Sequence, residues 1–221
     1  MSRDLLPPAL RAELRSLRLA ARRISALRGG GAHRSRDRGA GLEFAQYRSY
    51  EPGDEPRRID WKLYARSDRF FVREAERDSP LAIWIVLDAS ASMGQADETR
   101  ADWARLDAGK ALAAAIAEVA LQQGDRFGLV TLGGDGVQLL PIGAGSRQRD
   151  RVLLQLQSLT AQGACPEADR LLPVWERIGT DALVVVISDC FDEACASLAT
   201  RLAGARRDVA VIQLLTVAER D

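Results

Sequence analysis

The sequence predicts an α/β protein whose mostly parallel sheet is covered by helices on both faces. Two observations carry this. Leu81–Leu87 and Ala182–Ile187 are unbroken apolar runs, the pattern of strands buried on both sides rather than on one. Strand-like stretches also alternate with stretches of helical period, which implies parallel strands joined by helical crossovers.

The strands fall at 81–88, 126–132, 136–141, 182–188 and 208–217, with helices between them at 104–123, 147–160, 167–178 and 192–204. Gly133-Gly134-Asp135-Gly136 joins two strand-like segments and reads as a hairpin turn. It lacks the Lys-Ser/Thr that would make it a phosphate loop. Ahead of this core, residues 8–27 set Leu10, Leu14, Leu17, Ala20, Ala21, Ile24 and Leu27 at three- and four-residue spacing. That spacing predicts an amphipathic helix with an arginine face. The helix stops at Gly29-Gly30-Gly31, and 28–41 read as a polar connector. Residues 42–80 mix aromatics with charges, and Pro52-Gly53 has the residue pair that centres a tight turn.

Three regions follow: an N-terminal helix with a Gly/Arg-rich connector (1–41), an aromatic and charged excursion (42–80), and the α/β domain (81–221). The excursion is too short to sustain a core alone, yet it carries seven aromatic side chains, among them Trp61, Tyr64, Phe70 and Phe71. It is therefore expected to pack against the domain.

Composition narrows the function. An apolar fraction of 47% suits a globular core. No apolar run approaches the 18 or so residues of a membrane span, and the first residues lack the apolar stretch of a signal peptide. Three cysteines without metal-ligand spacing point to a reducing cytoplasm. The 31 basic and 31 acidic side chains are unevenly spread: residues 1–80 hold 18 basic and 12 acidic groups. Nucleic-acid binding through this arginine-rich front is the weaker reading, because Lys62 and Lys110 are the only lysines and a general bias toward arginine accounts for it.

The chemistry concentrates where apolar strands end. In parallel sheets the functional crevice lies at the carboxyl ends of the strands. One strand runs into Asp88-Ala89-Ser90-Ala91-Ser92, and another ends in Ser188-Asp189. Two carboxylates and several hydroxyls are hard oxygen donors, the ligand set magnesium prefers. The plainer alternative is that Asp88 and Asp189 cap the helices that follow.

The spacing of Asp88, Ser90 and Ser92, with Ser188-Asp189, resembles the metal-ion-dependent adhesion site of von Willebrand factor A domains. A second stretch narrows the resemblance: Arg48-Ser49-Tyr50-Glu51-Pro52-Gly53-Asp54, then Arg57, Ile59-Asp60-Trp61 and Ala65-Arg66. It is similar to the signature of a bacterial von Willebrand A-like family, domain-of-unknown-function family fifty-eight. The resemblance implies a Rossmann-like A domain without established catalysis, acting with a MoxR-type AAA+ ATPase as adaptor or co-chaperone for client proteins. It also implies that Ser90, Ser92 and a threonine from another loop bind the metal directly, with Asp88 and Asp189 acting through water and a partner carboxylate completing the shell. The threonine loop maps to Gly163-Ala164-Cys165. A thiol does not replace a hydroxyl on a hard cation, so the site is expected to be degenerate, holding magnesium weakly or not at all.

The enzyme alternative is a metal-dependent hydrolase or phosphoryl-transfer enzyme using Asp88 and Asp189. A hydrolase needs a base beside its nucleophile, and the sole histidine, His33, lies in the polar connector. A dehalogenase-like phosphatase would want a second aspartate where Ser90 stands. Asp54 and Asp60 among Arg48, Arg57, Arg58 and Arg66 read as a salt-bridge network rather than as a second site.

Overall fold

The computed structural model describes residues 4–21, 44–51, 54, 56–75, 80–134, 136–167, 170–180, 182–205 and 207–219. They fall into two compact units, one within 1–30 and 80–221, the other within 31–79. The chain begins with helix α1 (Pro8–Leu14), strand β1 (Phe44–Ser49), helix α2 (Trp61–Ser67) and strand β2 (Phe71–Ala75). Next come strand β3 (Ala82–Ala89), the short strands β4 (Ala96–Asp97) and β5 (Arg100–Ala104), and helix α3 (Arg105–Gln123). Strands β6 (Arg126–Gly133) and β7 (Gly136–Gly143) precede helices α4 (Gly145–Ser158) and α5 (Leu172–Arg177). Strand β8 (Ala182–Ser188), helix α6 (Glu193–Gly204) and strand β9 (Asp208–Gln213) complete the order.

The larger unit is a five-stranded sheet in the order β7-β6-β3-β8-β9. β3 lies at its centre, parallel to β6 and β8, and β8 is parallel to β9. Only β7 runs antiparallel, paired to β6 as the expected hairpin with Gly133 opposite Gly136. Asp135 lies outside the described residues.

The apolar runs have the predicted cause. Alternate side chains of β3 and β8 enter two different cores. Ile83, Ile85, Leu87, Leu183, Val185 and Ile187 pack with α1, α3 and α4. Trp84, Val86, Val184 and Val186 pack with Val174 of α5 and Leu198 and Leu202 of α6. Each fully buried Leu, Ile or Val is worth roughly 1.5–3 kcal/mol, so a sheet covered on both sides leaves no position in these strands for a polar residue. The sequence turns polar at the carboxyl ends of the strands, where Asp88, Ser188 and Asp189 stay buried and are held by hydrogen bonds.

Four elements differ from expectation. The helix expected over 167–178 spans only Leu172–Arg177. The helix expected over 8–27 ends at Leu14, with Arg15 as its C-cap. Beyond it the chain is held by α3: the Leu19 N–H donates to Gln123 Oε1 at 2.8 Å, and Gln123 Nε2 donates to the Leu19 carbonyl at 3.1 Å. A tertiary partner for the backbone thus outweighs a local helical period, while Leu17 stays exposed. Residues 22–27 and the connector 28–41 lie outside the described residues. The last strand stops at Gln213 rather than 217, and the Leu214 N–H makes its last bond to β8, to the Ser188 carbonyl at 2.9 Å. The β4–β5 hairpin was not foreseen.

In the smaller unit β1 and β2 pair antiparallel. Asp60 caps α2, accepting from the Lys62 and Leu63 N–H groups at 3.0 and 3.1 Å. Tyr64 stacks on Phe70 with centroids 4.4 Å apart, and Trp61 meets both edge-on. The Asp54 N–H bonds the Glu51 carbonyl at 3.0 Å; the turn expected at Pro52-Gly53 lies outside the described residues. The side chains of Arg48 and Arg58, expected in the charged network, are also outside them.

Candidate interaction site at the carboxyl edge of the sheet

β3 and β8 are adjacent and parallel, so Asp88 and Asp189 emerge at the same edge. Asp88 is fully buried, and both its oxygens are used. Oδ1 accepts the Ser90 N–H at 2.9 Å, and Oδ2 accepts the Ser188 hydroxyl at 2.6 Å. Asp189, also fully buried, accepts the Phe191 N–H at 3.1 Å through Oδ1. Both aspartates therefore tie the backbone two residues ahead, the local turn that a short carboxylate makes readily. The helix-capping role falls instead to Asp192, whose Oδ1 accepts the Ala194 N–H at the start of α6.

The hydroxyls of Ser90 and Ser92 lie 3.1 Å apart, one donating to the other. Above them passes the loop from Leu159 to Cys165. Its Gly163 carbonyl accepts the Ala91 N–H at 2.7 Å, and its Gln162 N–H donates to the Ala89 carbonyl at 3.0 Å. Gly163 is held in the left-handed region with φ 64°, and a Cβ there would stand 2.4 Å from the Gly134 Cα. Only glycine allows this approach.

Cys165 is placed differently from a metal ligand. Its Sγ lies 3.3 Å from Cys195 Sγ, and its N–H donates to Asp192 Oδ2 at 3.1 Å. The contact with Cys165, followed by burial, pushes the Cys195 thiol pKa up. Burial raises that of Cys190. Neither is poised as a nucleophile, because reactivity needs the thiolate.

The residue that sequence reasoning missed is Arg105, the first residue of α3. Its guanidinium is buried against the same edge. Nη1 donates to Asp189 Oδ2 and to the Ser92 carbonyl, both at 3.1 Å, and Nη2 pairs with Glu219 Oε1. Phe191 lies over it, with the ring centroid 5.0 Å from Cζ. A signal was present. A cation at a helix N-terminus opposes the helix dipole, so an arginine opening a long alanine-rich helix needs a nearby anion. Asp88, Ser90, Ser92 and Asp189 are thus brought into one hydrogen-bonded cluster by Ser188 and Arg105. Cys165 joins Cys195 instead. His33 lies outside the described residues.

No described helix is long and apolar enough to cross a membrane. In sequence the chain is similar to the uncharacterized protein Rv1480 of Mycobacterium tuberculosis strain H37Rv, with 29% identity over 96% of this chain and 67% of that protein. The uncharacterized protein Mb1516 of Mycobacterium bovis matches to the same extent. Among solved structures, the VWA domain of SpRpn10 aligns over 64% of this chain and 79% of that domain, with 16% identity and a TM-score of 0.43. The pilus adhesin SpaC of Lactobacillus rhamnosus GG aligns over 52% of this chain and 16% of its own, with 18% identity and a TM-score of 0.40. Residues 46–221 match the model of one family, and the chain belongs to that family, described as protein of unknown function DUF58.

Proposed function

We propose that the chain is a non-enzymatic protein-interaction module of von Willebrand A-like type, acting as adaptor or co-chaperone of a MoxR-type AAA+ ATPase. Its metal-ion-dependent adhesion site is degenerate, and the resident cation is Arg105. The observation that carries this reading is the Arg105–Asp189 pair inside the cluster of Asp88, Ser90 and Ser92. A guanidinium already paired inside this cluster weighs against a magnesium ion there. The Asp88 oxygens are committed to Ser90 and Ser188, and the Cys165 thiol to Cys195. A dication in the cluster would be repelled by the Arg105 guanidinium, which already neutralises part of the charge of its carboxylates.

A hydrolase reading has less support. The Ser90 and Ser92 hydroxyls bond one another, whereas a nucleophilic serine needs a base at that distance. Three free thiols favour a reducing cytoplasm.

The test is co-elution of the purified chain with a MoxR-type ATPase in ATP, ADP and nucleotide-free buffers. A nucleotide-dependent complex is expected. Absence of a complex in every buffer would remove the ATPase from the reading. Turnover of p-nitrophenyl phosphate with magnesium, lost in Asp88→Asn, would replace the whole reading with the enzyme.

A further inference from the structure

The Arg105 guanidinium is oriented so that its two halves face different environments. Nη1 is satisfied inside the protein by Asp189 Oδ2 and the Ser92 carbonyl. Nη2 faces the edge of the domain and meets Glu219 Oε1, on a side chain that keeps 30% of its surface exposed. Glu219 belongs to a three-residue turn, Val217–Glu219, that is open among the described residues: Val217 is 62% exposed, and Leu215 just ahead of it 45%. Beyond Arg105, that turn is held by Thr216 N–H to Glu219 Oε2 at 2.9 Å, Glu219 N–H to the Thr216 carbonyl at 3.2 Å and Val217 N–H to Asp97 Oδ2 at 3.1 Å. On the other side of the guanidinium, Phe191 covers the cation while leaving 58% of its own surface exposed.

We propose that the outer edge of Arg105 is a docking point for a carboxylate side chain of a protein partner, and that Glu219 holds this place until such a side chain displaces it. The site rests on the interaction-module reading and names what that module grips. Its chemistry follows from three features. The guanidinium is preorganised, since Asp189 and the Ser92 carbonyl fix its plane and no rotamer freedom is left to lose on binding. A planar fork of donors favours a carboxylate over other acceptors. Exposed Phe191 beside it, with Leu215 and Val217 on the segment that carries Glu219, selects an acidic residue flanked by apolar ones. An internal carboxylate already in the site lowers affinity for weak acids in general, so a partner must supply the apolar contacts as well.

The probe is the blocked tripeptide acetyl-Leu-Glu-Leu-amide, with acetyl-Leu-Gln-Leu-amide as control, titrated into the full chain and followed by NMR at the Arg105 side chain and the Phe191 ring. Glu219→Ala removes the competitor from an exposed turn, and Glu219→Gln removes only its charge. Both variants are expected to bind the Glu peptide at least tenfold more tightly than the native chain, with the Gln peptide at least tenfold weaker and the difference shrinking with added salt. Phe191→Ala, an exposed change, is expected to weaken binding several-fold. Equal binding of the two peptides, or none, by either folded Glu219 variant would overturn the proposal. That outcome leaves the ATPase complex untouched, because co-elution does not depend on Glu219; a docking carboxylate with no ATPase complex would keep the site and change the partner.

Discussion

Arg105 Nη1 stands 3.1 Å from Asp189 Oδ2, with the arginine side chain 4% exposed and the aspartate fully buried. The pair joins the start of α3 to the end of β8, residues 84 apart in sequence. A buried pair of this kind adds little net stability, since both charges must leave water, but removing one partner leaves the other uncompensated. It fixes where the mouth of the sheet lies and which sign of charge stands there.

Arg105→Met is therefore expected to destabilise the protein by about 3–5 kcal/mol. Asp189→Asn in the same chain should recover part of that loss. Urea denaturation of the two single variants and the double variant supplies the coupling energy. A coupling indistinguishable from zero would show that the pair is not formed in solution.

Magnesium titrated calorimetrically into the native chain should give no binding heat. Cys165→Thr is expected to leave that result unchanged, because the Cys165 side chain lies against Cys195 rather than against the Ser90 and Ser92 hydroxyls. It should instead cost about 1–3 kcal/mol for burying a hydroxyl beside a poor partner. Magnesium binding that appears or tightens in the threonine variant would restore the loop to a ligand role.

Two glycines separate backbone strain from steric contact. Gly124 has φ 76° with open space at a Cβ position, whereas Gly163 has φ 64° and the Gly134 Cα in the way. Gly124→Ala should cost only the left-handed penalty, about 1–2 kcal/mol. Gly163→Ala should cost a further 1–3 kcal/mol, roughly the range for overpacking. Equal urea midpoints for the two variants would mean that the loop over Gly134 moves aside freely.

The thiols carry a pH dependence. The pKa values of Cys190 and Cys195 are raised in the folded chain, so the stability they contribute is fully present below the ordinary thiol value of about 8.5 and declines as pH rises beyond it. The urea midpoint should fall between pH 8 and pH 10, and fall less in Cys195→Ala. Dithionitrobenzoate at pH 8 should label the cysteines slowly until denaturant is added. Rapid labelling of Cys195 in the native chain would contradict the burial.

Strand–helix alternation, the doubly covered sheet and the convergence of Asp88 and Asp189 on one edge were all legible in the sequence. Each follows from a local rule: a strand buried on both faces is apolar along its length and turns polar at its end, and adjacent parallel strands end on the same side. Periodicity failed over 8–27, where helical spacing was real but Gln123 offered the backbone of Leu19 a partner from a distant helix. Which cation stands in the cluster follows from long-range packing alone. Arg105 and Glu219 lie 84 residues before and 30 residues after Asp189, and no motif spacing relates them. Their meeting depends on α3 starting at the carboxyl edge and on the chain after β9 coming back to it in the Val217–Glu219 turn. The direction of the Cys165 side chain was settled in the same way, by the neighbour it found in α6 rather than by its place in a motif.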